Sequence, residues 1–105
     1  MPRFDAFPHP DKFWRATTPY LLDVQNDFIS GLASRIVIPL RTKESFGLQM
    51  RDLNPLVTVA GKTLVLDTAA LAAFPTSGLK KPAANLTASR VEIEAALDTV
   101  FGGYS

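Results

Sequence analysis

The chain has no cysteine, a single histidine, a single tryptophan and almost no net charge, and each shortage removes a class of function. Without cysteine there are no disulfides and no thiolate metal sites, which agrees with a reducing compartment, so the fold must stand on packing. One histidine leaves any metal site to carboxylates, and Asp23 with Asp27 lacks the loop pattern of a calcium site. No metal and no cofactor are expected. A formal charge of +1 gives no general electrostatic grip on nucleic acid, so a nucleic-acid partner would have to be met locally. No apolar run reaches the length of a membrane span, and "MPRFDAFPHP" carries no signal-peptide core; a soluble, cytoplasmic protein is expected. What remains is 105 residues, 47% of them apolar, enough for one domain over residues 1–105 with one modest core that oligomerisation would help.

Short β-type runs dominate. Arg3 to Phe7 alternate and stop at "PHP", because proline removes a ladder donor. "FWRATTPYLLDVQNDF" resumes in β-type residues, most clearly from Tyr20 to Val24, and dissolves into polar residues before "SGL". "SRIVIPL" reads as a third strand with Pro39 at an edge or bulge. A long connection, "RTKESFGLQMRDLNP", leads to the clearest hairpin, "LVTVAGKTLVLD", which turns at Ala60-Gly61-Lys62. "TAALAAFP" reads as a short extended element and "TSGLKKPAAN" as loop. "LTASRVEIEAALDTVFGGYS" is the one convincing helix: Ser89 to Glu92 forms a capping-box pattern, and Gly102 is a natural end. Ile93, Ala96, Leu97 and Val100 share a face suited to covering a sheet. Strands closed by one terminal helix predict a mainly β fold, an SH3-like antiparallel barrel.

Catalytic constellations are scarce. His9 lies between two prolines in a turn and reads as a solvated loop residue, and the glycines of "GLASR" and "FGGYS" lack the setting of a phosphate loop. Lys43, Glu44 and Arg51, like the pair Lys80 and Lys81, read as solvated surface, and most aromatic residues as core.

The block "LLDVQNDFISGLASRIVIPL" resembles the most recognisable segment of the CcdB family, the gyrase-poisoning toxins of toxin-antitoxin modules. The likeness continues through Asn54-Pro55-Leu56-Val57-Thr58-Val59 with its hairpin, the Pro75 element, and a final helix carrying Ile93, Ala96 and Phe101. It implies a homodimer of SH3-like barrels, each with a small extra sheet and a C-terminal helix, that binds the gyrase A subunit and traps the enzyme on cleaved DNA. Such a toxin is not an enzyme and has no catalytic residues. A CcdA-like antitoxin, whose disordered segment folds onto the toxin, would neutralise it, and operator DNA would be met only through that complex. Antitoxin-contacting residues are unassigned by the resemblance.

Carried over position by position, the gyrase-binding surface comprises Arg3, Phe4 and Phe7 near the first strand, Asn26 and Phe28 after the second, and Asp98 and Phe101 on the helix, followed by Gly102, Gly103 and Tyr104. The family's terminal pattern, Phe-Trp-Gly-Ile, departs here to Phe101-Gly102-Gly103-Tyr104-Ser105. A tryptophan anchor typically contributes about 2 to 4 kcal/mol to an interface. Two readings of the altered end stand side by side: the glycines return Tyr104 to the same patch, or the helix stops at Gly102 and Tyr104 is a free end. Two other functions compete with gyrase poisoning. One is an RNA-cutting toxin of the MazF or Kid type, which would have to recruit His9, Asp5, Arg15 and Arg35; the other is a non-toxic CcdB-like protein that only binds antitoxin.

Overall fold

The computed structural model describes residues 2–26 and 32–102. Seven strands, β1 (Asp5–Pro8), β2 (Tyr20–Asp23), β3 (Ser34–Thr42), β4 (Leu56–Val59), β5 (Lys62–Leu66), β6 (Ala72–Pro75) and β7 (Ala84–Asn85), form one antiparallel sheet. Along it the order is β4-β5-β3-β2-β1-β7, with β6 branching from β3. Among the described residues there are also two α-helices, α1 (Lys43–Phe46) and α2 (Arg90–Phe101), and the sheet curls into a nearly closed barrel that α2 covers. This is the expected mainly β architecture.

Period-two alternation sorts the strands onto two faces. Ala6, Leu22, Ile38, Leu40, Leu64 and Leu66 point inward and pack with Ile93 and Ala96 of α2, while Leu97 lies against the same cluster. Phe7, Leu21 and Val37 point to the other face, where Leu79 and the half-buried ring of Phe74 cover them.

β3 is paired along the same side by β5 and then β6, with a three-residue 3-10 turn, Thr68–Ala70, between them. Pro39 stands at that interruption. Its carbonyl accepts from the Asp67 amide at 3.0 Å, so its missing N–H falls where the ladder is already broken, the bulge position expected of a strand proline. The β4–β5 hairpin turns on two residues, Ala60 (φ 51) and Gly61 (φ 80), the positive pair that matches strand twist.

The stretch expected to be a plain connection contains α1, and the stretch expected to be loop contains β7, which pairs with β1; the ends of β1 and α2 also shift. The first strand begins at Asp5 rather than Arg3, because Phe4 has φ 72 and the Asp5 amide donates to the Pro2 carbonyl, which makes residues 2–5 a turn. The Ser89–Glu92 capping box does not form: Ser89 holds near-helical dihedrals (φ −101, ψ 16) at the end of a 3-10 turn, Thr87–Ser89, and its hydroxyl caps nothing. Asn85 serves that entry instead, accepting the Thr87 amide at 3.0 Å. At the other end Gly102 takes φ 74, and its amide donates to the Asp98 carbonyl, the left-handed finish that glycine makes cheap.

Candidate partner-binding surface

Arg3 is the joint of the candidate surface. Its Nε donates to the Val24 carbonyl at 3.0 Å, its Nη1 meets Glu94 Oε2 at 3.1 Å, and its guanidinium lies 4.7 Å from the centre of the Phe4 ring. The N-terminal turn, the end of β2 and the middle of α2 are therefore pinned together. Phe4 reinforces the joint through its backbone: its amide donates to the Asp23 carbonyl at 2.7 Å and its carbonyl accepts from Leu86 at 2.8 Å. A bulky residue in the left-handed region is strained, and these two bonds hold it there.

From Glu94 the helix carries the surface outward. Val91, Glu94, Asp98 and Phe101 recur at three- and four-residue spacing, so they form one stripe on the side of α2 turned from the core. Its apolar ends are bare: Val91 is 77% and Phe101 71% exposed, whereas Ile93 and Ala96 on the inner face are fully buried. Asn26, two residues beyond the carbonyl that Arg3 holds, is exposed. Arg3 is thus tied to the chain two residues before Asn26 and to α2 four residues before Asp98.

The aromatic members of the expected set are placed differently. Phe4 is 4% exposed in the inner cluster and Phe7 2% exposed in the outer one, so the two rings lie on opposite faces of the sheet and solvent meets neither. Neither ring is presented to solvent: Phe4 packs into the inner cluster from the turn before β1, and Phe7 into the outer cluster from β1 itself. Gly102 caps α2 and is exposed. Phe28, Gly103 and Tyr104 lie outside the described residues.

Sequence reasoning passed over Glu94 and Val91. The signal was present, since Glu94 stands four and Val91 seven residues before Asp98, but only the fold reveals that Glu94 is the partner of Arg3, 91 positions away. A cleft of ≈ 650 Å³ flanks the stripe between Glu92, Ala95 and Thr99 of α2 and the Arg51, Asp52 and Pro55 segment. None of the four stripe residues lines it.

The set considered for RNA cleavage is not assembled. Asp5 is buried and accepts from Asn85 at 2.9 Å, and Arg35 is buried against Asp23 at 2.8 Å. His9 and Arg15 stand at the opposite end of β1, about 13 Å along the strand from Asp5 at the usual rise per residue. His9 has its pKa lowered, chiefly by burial; the Asp11 charge pulls it back up, and Arg15 and Arg41 push it further down. Its Nδ1 accepts the Asp11 amide at 3.0 Å, the arrangement of a neutral ring. Among the described residues no helix is long and apolar enough to cross a membrane, and no group of three or more histidine or acidic side chains is placed to hold a metal ion.

Compared with known proteins, residues 3–103 match a family model described as CcdB protein. No curated protein matches the chain.

Proposed function

Because this chain belongs to the CcdB family, we propose that it is the toxin of a toxin-antitoxin module, which binds the gyrase A subunit through Arg3, Asn26 and the outer stripe of α2. Binding there traps the gyrase–DNA cleavage complex, and a CcdA-like antitoxin covers the surface to neutralise it. The protein acts as a homodimer and as an inhibitor rather than a catalyst. The observation that carries this reading is Phe101: a large ring 71% exposed at the end of a helix whose other face is fully packed has no role within the monomer. Rigid aromatic anchors of this kind dominate interface energies. Phe28 and Tyr104 enter the proposed contact set through the family resemblance alone.

Incubation with gyrase, ATP and supercoiled plasmid, followed by denaturation, should yield linear DNA. Phe101→Ala should raise the concentration for half-maximal linearisation by roughly thirtyfold or more while leaving the fold intact, since the ring packs against little. Absence of cleavage by the parent protein, with gyrase shown active, would sink the proposal.

A further inference from the structure

Two clefts are each lined in part by the β1–β2 hairpin, and the larger of the two extends over the outer face of β2, β3 and β6. The first, ≈ 250 Å³, is lined by Pro8, Pro10, Arg15, Gly78, Lys80 and Lys81. It gathers three cations and no carboxylate, and none of the three has an ion pair among the described residues. Arg15 is aimed by its Nε bond to the His9 carbonyl, 2.6 Å. In a chain of formal charge +1, such a concentration is a local feature and not a sample of a basic surface.

The second cleft, ≈ 450 Å³, has aromatic walls from Trp14, His9 and Phe74 and apolar lining that includes Leu21 and Val37, with one carboxylate, Asp11, and one guanidinium, Arg41, also lining it. His9 and Phe74 meet edge to face at 5.8 Å, and Trp14, 50% exposed, is propped against Phe13 at 5.2 Å. Gly78 joins the two clefts: a Cβ there would stand 3.4 Å from Pro10 and 3.6 Å from Phe74, so only a minimal wall divides them.

We infer that this hairpin binds single-stranded nucleic acid, with one base lying in the aromatic cleft and the adjoining phosphates on Arg15, Lys80 and Lys81. An acidic peptide would satisfy the cations and leave the aromatic cleft empty. A duplex would offer phosphates, but its bases are already stacked. A single strand presents a π-face and a phosphate side by side, which is what the paired clefts ask for. The inference does not rest on gyrase poisoning.

Trp14 is the only tryptophan, so intrinsic fluorescence reports from inside the cleft. Titration with a short single-stranded oligodeoxynucleotide at low salt should quench it saturably, with anisotropy of a labelled strand following the same isotherm. K80Q/K81Q, both exposed side chains, should weaken binding at least tenfold and flatten the log Kd against log salt slope by about 1.4, the value for two lost phosphate contacts on a single strand. Trp14→Ala should weaken binding by anisotropy and leave that slope unchanged. The inference falls if the strand gives no saturable change at hundreds of micromolar. It falls equally if a duplex, a mononucleotide or a glutamate-rich peptide of equal charge binds as tightly as the strand.

Discussion

His9 and Phe4 flank β1, and the fold constrains both: Phe4 to a backbone conformation its residue type does not favour, and His9 to the neutral form down to a lower pH than usual. Phe4 keeps a left-handed backbone because two main-chain bonds and the Arg3 guanidinium fix it. His9 is kept neutral mainly by burial against the hairpin, so the folded chain binds its proton less readily than the unfolded chain does. The linkage has a definite sign: this contribution to stability is complete above the ordinary value of 6.5 and declines as pH falls below it toward the lowered folded value. Urea unfolding at pH 7.5 and pH 5 should therefore show a larger acid loss in the parent than in His9→Gln. Carboxylates common to both proteins cancel in that comparison, and equal losses would show that His9 is not held neutral by the fold.

At the scale of elements, α2 has two unlike faces and a charge out of place. Asp98 lies in the last turn, which carries no basic residue, near the negative end of the helix dipole. Asp98→Lys should therefore raise thermal stability modestly, by about 0.5 kcal/mol. The same change should weaken gyrase poisoning if Asp98 faces the partner. A gain in stability together with a loss of toxicity separates a binding role from a structural one; unchanged plasmid linearisation would place Asp98 outside the contact. The helix itself was legible in the sequence because four inward residues repeat at helical spacing. Its entry was not, since whether Ser89 caps depends on the 3-10 turn before it, and that turn is held by Asn85 of β7, which pairs with Asp5 of β1.

For the whole molecule, one buried ion pair joins strands that the alternation alone leaves independent. Asp23 at the end of β2 is fully buried, and its Oδ2 receives Arg35 Nε at 2.8 Å from the start of β3 while its Oδ1 takes the Gln25 amide. Gln25 in turn accepts the Ile36 amide, so two side chains of the β2 segment tie it to the start of β3. Arg35→Met should destabilise the fold by about 3 to 5 kcal/mol, because it removes a charged partner from a fully buried carboxylate. Denaturant unfolding checks this, and a loss below about 1 kcal/mol would mean that water or another donor reaches Asp23. Such a change should disturb Phe4 as well, whose amide is bonded to the Asp23 carbonyl, and through it the corner where Arg3 meets α2.

By itself the sequence determined the class of fold, the place of the hairpin, the inward face of α2 and its glycine stop, and the family block, because each is written in residues close together along the chain. Pro39 could be assigned to an edge or a bulge for the same local reason. Only the tertiary structure decided that Phe4 and Phe7 are buried on opposite faces, that Glu94 holds Arg3, and that Arg15 and the two lysines share a cleft. Those facts depend on strand register and on which segments the barrel brings side by side, and a spacing of three or ninety-one residues says nothing of either until the sheet has closed.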